Sequence, residues 1–233
     1  MSDCDRPSRR VLLSTLFGVV ALLVGCSAKP VVPATEFPEP VLVRVPASMG
    51  LYMDPRFRTY EHLDKPPRGF EQKVSVGPAS QVLFTEFLAA QFRSLTVLSQ
   101  APDEQAPPAG VEAILQPVIE DVQIASPRGD QDEFHEAWIK YRLNLRDPRG
   151  RLLAAWEIAA YGKHRGALIG GNHSGLTAAV RDALRDAAAG MALIFRDGAA
   201  FRQRLETALG DAGRAATGAG AGINFDAASG LKT

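Results

Sequence analysis

The stretch that most constrains the fold runs from 137 to 161, where two segments of period two flank Asp147-Pro148-Arg149-Gly150. Ile139, Tyr141, Leu143 and Leu145 recur at every second position before the turn, and Leu152, Ala154, Trp156 and Ile158 after it. A period of two places each set on one face of a strand. Aspartate first, proline second and glycine fourth suit a type I turn followed by a glycine bulge. With Arg146 opposite Arg151, Tyr141 faces Trp156 on the apolar side and Lys140 faces Glu157 on the polar side. That charge pair is worth under ~1 kcal/mol. A slip of one residue would bury Arg142 and Arg146, so the alternation itself holds the register. A hairpin with one apolar face must be covered, and the rest of the chain offers helices to cover it.

Leu83, Phe84, Phe87, Leu88, Phe92 and Leu95 fall at spacings of three and four, which predicts a helix over 80–95 opened by Ser80. Leu176, Val180, Leu184, Ala187, Met191 and Ile194 predict a second over 174–195, capped by Ser174, with Arg181, Asp182, Arg185 and Asp186 on its other side. A shorter helix over 199–209 continues it. Strands are expected at 41–45, ended by Pro46, and at 50–53, 72–76 and 96–98. Asp54-Pro55 marks a turn, 61–71 a loop, and 101–110 a loop rich in Pro, Asp and Glu. Residues 113–125 form a long strand, with Ile114, Val118, Val122 and Ile124 on one face and Leu115 and Ile119 on the other. Pro117 inside it calls for an edge position or a bulge, because proline cannot donate to a ladder. The expected class is α+β, an antiparallel or mixed sheet with a central hairpin (137–161) packed by two main helices (80–95, 174–195).

The start of the chain is not part of that domain. Arg6, Arg9 and Arg10 precede an apolar run from Val11 to Val24, which is shorter than the roughly 20 residues needed to span a bilayer. The run ends in Leu23-Val24-Gly25-Cys26, which resembles the lipobox of bacterial lipoproteins. The resemblance implies cleavage before Cys26, a lipid on its thiol and attachment to a membrane. Ser27 in place of aspartate implies, by the enterobacterial sorting pattern, the periplasmic face of the outer membrane rather than the inner membrane. Ser8-Arg9-Arg10-Val11-Leu12-Leu13 also looks like a twin-arginine export signal, so the export route stays open between the two. Four prolines between Ser27 and Pro40 make an extended tether of 26–40. The expected organisation is then a signal over 1–25, the tether, one domain over 41–209, and a Gly/Ala-rich disordered tail over 210–233.

Composition narrows the function. Lys plus Arg and Asp plus Glu number 26 each, and loss of 1–25 removes three basic and two acidic residues, leaving −1. A chain so balanced has no global field for nucleic acid or an anionic surface. The two cysteines are Cys4, inside the signal, and Cys26. After cleavage no internal disulfide, thiolate nucleophile or cysteine metal site is possible. The histidines, His62, His135, His164 and His173, lack the spacing of a metalloprotease helix. His164 and His173 flank a glycine-rich loop over 162–173, where solvated loop histidines are the simpler reading than metal ligands. That loop lacks the lysine of a phosphate cradle, and Asp130-Gln131-Asp132-Glu133 lacks the spacing of a calcium loop. Phe57, Arg58 and Tyr60 form either a recognition patch or an ordinary strand. Neither a catalytic set, a metal nor a cofactor is expected.

Around Leu51-Tyr52-Met53-Asp54-Pro55, Val76-Gly77, Trp138-Ile139-Lys140-Tyr141-Arg142-Leu143 and Ala160-Tyr161-Gly162-Lys163 the chain resembles an uncharacterised proteobacterial family of envelope lipoproteins, over 41–197. More distantly it is similar to the small α+β lipoproteins of lipopolysaccharide assembly and the auxiliary lipoproteins of ABC-type transporters. These likenesses bring no catalytic residue across. They imply a non-enzymatic adaptor or accessory subunit of an envelope assembly, lipid-transport or secretion system, bound to the membrane and to an envelope protein. The alternative is a lipoprotein that binds a small amphipathic lipid or glycan between helix and sheet. An enzyme would draw first on His164, His173 and Asp54.

Overall fold

The computed structural model describes residues 44–64, 71–127, 134–165 and 171–220. The hairpin is its longest feature: β6 (Phe134–Arg146) pairs antiparallel with β7 (Leu152–Arg165). Both strands are longer than the alternation indicated, and their register differs by two residues. Lys140 stands opposite Ala159, Arg142 opposite Glu157 and Leu143 opposite Trp156. Arg146 stands opposite Leu152 rather than Arg151, and an irregularity between Leu145 and Arg146 adds the second residue, with Gly150 at φ 90°. Because the shift is even, every side chain keeps its face and only its partner changes. The expected pairing of Tyr141 with Trp156 is thus replaced, while Lys140 still reaches Glu157 diagonally at 3.2 Å.

The sheet has five strands in the order β4-β1-β5-β6-β7. β1 (Val45–Tyr52) is one strand rather than two short ones. Pro46 lies within it, where its parallel pairing with β4 (Phe92–Leu98) shifts register between Val45 and Ser48. β5 (Ala113–Ala125) has the expected limits. It pairs parallel with β1 only over Ala113 to Leu115, so Pro117 lies past that ladder while still opposite Leu143 of β6. A bulge between Ile119 and Asp121 then reverses the alternation. This corrects the expected faces of β5: Leu115, Ile119 and Val122 join the main core, and Ile114 buries on the other side with Tyr52 and Val111.

One-turn helix α1 (Pro55–Arg58) replaces the expected turn, with the Asp54 carboxylate accepting the Arg56 N–H at 2.7 Å. β2 (Glu61–Asp64) and β3 (Gln72–Ser75) pair as a small antiparallel ribbon, so part of the expected 61–71 loop is strand. Helix α2 spans Val76–Gln91, four residues earlier at each end than 80–95. Gly77-Pro78 reads as a break, but a proline in the first turn lacks only an N–H that has no intrahelical acceptor. Phe92 leaves the helix at φ −106°, ψ 158° and starts β4 directly. Its ring packs edge-on against Phe195 at 5.2 Å, so its place in the apolar pattern is satisfied by the core from a strand.

Helix α3 (Gly171–Phe195) begins three residues before Ser174, and α4 (Gly198–Gly220) runs past the expected end at 209. The tail expected from 210 is therefore helical as far as Gly220. Alanines with high helix propensity carry it, and Ala212, two turns after buried Leu205, returns to the domain surface. α2, α3 and α4 bury their apolar faces in one cluster with the inward residues of the sheet. The Ser80 and Tyr141 hydroxyls bond each other there at 2.7 Å, so neither buried oxygen is left unpaired. The result is an α+β fold of two layers, helices on one face of the sheet.

Candidate functional site

The opposite face of the sheet is covered by no helix among the described residues, and its side chains are what β5, β6 and β7 turn away from the core. At its middle stands a closed set of four charges. Lys140 Nζ lies 3.2 Å from both Glu120 Oε2 and Glu157 Oε2. The Arg142 guanidinium bonds Glu120 and reaches Glu157 Oε1 at 3.2 Å. The hydrogen bond from Arg142 holds the Glu120 carboxyl below its usual range, against a smaller opposing effect of burial. Bonds to Glu157 and Glu120 raise Lys140. Each charge is matched by a neighbour, so this zone is polar but not steering.

Toward the free end of the hairpin the face becomes aromatic. Trp138 and Tyr161 are direct cross-strand partners with rings 5.1 Å apart, and both are exposed, at 39% and 40%. Phe134 follows at 42% exposure, with Lys163 Nζ 4.3 Å above its ring. The Tyr161 hydroxyl donates to Glu136 Oε1 at 2.9 Å, and Lys163 lies 3.1 Å from the same oxygen. Those two bonds lower the Glu136 pKa, while desolvation and then the bond to Glu136 raise that of Tyr161. The rings are thus held by a polar frame around Glu136. Rigid aromatics with a polar rim are the usual composition of a protein-contact hot spot.

On the helix side of the same hairpin end lies His135, at 0% exposure, opposite His164. Neither of its ring nitrogens has a hydrogen-bond partner among the described residues. Desolvation lowers its pKa, and the nearby His164 adds to that. His164 Nδ1 is 3.7 Å from Asp182 Oδ2 on α3.

The residues singled out in the sequence do not converge. Leu23, Val24, Gly25 and Cys26 lie outside the described residues, as do 130–133, and so does the side chain of His173. Asp54 caps α1 after β1, whereas His164 is on the far edge strand β7. Phe57 is core, buried edge-on against Phe84 at 5.7 Å, so Phe57, Arg58 and Tyr60 are neither a strand nor an exposed patch. Among the described residues no group of three or more His, Cys, Asp or Glu is placed to hold a metal ion, and no helix is long and apolar enough to cross a membrane. Sequence reading missed the aromatic face because Trp138 meets Tyr161 only in the shifted register. It missed His135 because the strand was expected to begin at 137; the signal was that His135 continues the inward series of Ala137, Ile139 and Tyr141.

No family model and no curated protein matches the chain. Solved structures similar to it include a protein of Xanthomonas campestris from a family of unknown function, 13% identical, TM-score 0.47, covering 70% of this chain and 92% of that one. Uncharacterized lipoprotein B of Nitrosomonas europaea is 18% identical, TM-score 0.39, with 72% and 93% covered. A minor lipoprotein of Acinetobacter baumannii is 13% identical, TM-score 0.36, with 69% and 95% covered.

Proposed function

We propose that the protein is a lipid-anchored lipoprotein of the cell envelope that acts without catalysis, as an adaptor or accessory subunit of an envelope assembly, lipid-transport or secretion system. Its place is the periplasmic face of the outer membrane, with Cys26 carrying the lipid and a protein partner docking on the helix-free face of the sheet. The observation that carries this reading is the exposed aromatic cluster of Trp138, Tyr161 and Phe134 on that face. Large rigid rings cost water contact when left open, and a face of this kind gains most from a partner that covers it.

The test is photo-crosslinking in the native envelope, with a photoreactive residue at Trp138 or, as control, at exposed Arg204 on α4. A discrete protein adduct from position 138, absent from position 204, supports the adaptor. Truncating Trp138 to Ala should weaken capture by roughly 30-fold, the size of a ~2 kcal/mol hot spot. Co-purification of lipid or glycan with no protein adduct would replace the adaptor with a ligand carrier.

A further inference from the structure

His135 sits in an unusual place for a titratable group. Its ring is sealed between the end of the hairpin and the first turns of α3. A Cβ on Gly175 would fall 2.3 Å from His135 Cδ2 and 2.7 Å from Nε2, so ring and helix backbone are in direct contact. Only glycine at 175 permits that approach. With no hydrogen-bond partner on either nitrogen among the described residues, the ring is there as a neutral, apolar-packed imidazole.

The charges on the elements around it do not favour a proton. Across the ladder stands His164 on β7, itself a base, beside Asp182 of α3 at 3.7 Å. Asp182 is also engaged by Arg185 at 3.5 Å, and Arg181 of α3 adds another cation. Glu136 and Lys163 pair on the other face of the sheet, and Arg165 ends β7. The first turns of α3 carry the positive end of the helix dipole, which opposes a cation packed against them. A protonated ring must therefore either find water or leave.

We propose that His135 is an acid-sensitive latch: protonation of its buried ring releases the first turns of α3 from the hairpin end while the remainder of the domain stays folded. Release would uncover Ala137, Ile139, Leu176, Ala179 and Val180, which the helix and sheet bury against each other. The sign follows from the depressed basicity of the folded ring. In the unfolded or released state the imidazole binds its proton near the ordinary 6.5, and in the closed state only at lower pH. The closed state is thus fully favoured above that value and loses ground as pH falls below it.

The experiment is hydrogen exchange of the full lipoprotein in detergent between about pH 7.5 and 5, corrected for intrinsic exchange, comparing α3 residues 174–184 with α2 as internal reference. Protection in α3 should be lost progressively as pH falls below the ordinary 6.5 of histidine, with α2 unchanged. His135→Leu should abolish the fall. His164→Gln should keep it and move it to higher pH, because the interaction with His164 that helps to lower the His135 pKa is removed. Unchanged α3 protection in the natural protein, or a fall that persists in His135→Leu, overturns the latch. So does a fall that vanishes in His164→Gln. Should His135→Leu not fold, histidine ring NMR on the natural protein decides: an ordinary titration of His135 with no response in α3 amides overturns it.

Discussion

Two glycines show how the cost of adding a side chain differs by position. A Cβ on Gly162 of β7 would come 2.0 Å from the Ala179 carbonyl oxygen and 2.3 Å from the Ala183 nitrogen. Both are helix backbone and cannot swing aside. Gly162→Ala should therefore force α3 off the sheet and cost about 3 kcal/mol or more, seen as a lowered thermal midpoint. Gly210 in α4 meets only the end of the Arg214 side chain at 3.8 Å, so Gly210→Ala should stabilise by about 0.5–1 kcal/mol. If both variants melt alike, the close packing of α3 on β7 is wrong. Tyr141→Phe tests the core in another way. It strands the Ser80 hydroxyl, fully buried, and should cost about 1–2 kcal/mol, while Tyr141→Phe with Ser80→Ala together should cost less than the sum of the two singles in denaturant titrations.

At the scale of elements, α4 is held by one clasp that can be titrated. Glu112 accepts the Ser48 N–H at 2.9 Å and binds Arg93 at 3.1 Å and the Arg202 guanidinium, which also reaches the Pro46 carbonyl at 3.1 Å. Burial alone would raise the Glu112 pKa, but the Ser48 and Arg202 bonds with the two guanidinium charges outweigh it and hold the carboxyl below its ordinary 4.5. A depressed carboxylate stabilises above its unfolded value and loses that contribution as pH falls through the folded one. Amide protection in α4 should stay level from neutral pH to about 5 and fall only below that; Arg202→Ala should lower it already at neutral pH. The element scale also shows what the sequence could reveal. Period-two and period-three-and-four patterns located the hairpin, β5 and all three long helices, because burial on one face is written in the spacing. Boundaries failed where one residue serves two patterns: Phe92 fits the helix stripe and the core from a strand equally well. Registers failed where a bulge adds a residue, at Leu145 with the faces kept and at Glu120 with the faces exchanged, since the spacing of apolar positions does not announce an insertion. The aromatic site depended on that register, and His135 on a strand end, so each was hidden for its own reason.

For the whole molecule, the direction of β1 sets the end of the sheet from which the chain leads back toward the proposed anchor at Cys26. Arg44 precedes the end of the sheet at which Met49 pairs with Ala113, whereas Trp138 stands level with Gln123, ten residues further along β5. At about 3.3 Å per residue the aromatic cluster is some 33 Å beyond that point. The chain from Cys26 to Arg44 is eighteen steps, up to about 56 Å if extended at 3.1 Å each. On the proposed anchoring, that reach would let the aromatic face work away from the membrane while confined near it, raising its effective concentration for a partner in the same envelope. Membrane retention, on the same proposed anchoring, rests on Cys26. Cys26→Ala should move the protein from a carbonate-resistant membrane fraction to the soluble periplasmic fraction, with an unchanged thermal midpoint, because it changes no residue of the described core. Crosslinking through position 138 should then drop with the lost confinement but recover when the purified domain is added back in excess. A Cys26→Ala protein that still resists carbonate extraction would sink the lipid anchor and move the search for membrane attachment to the domain itself.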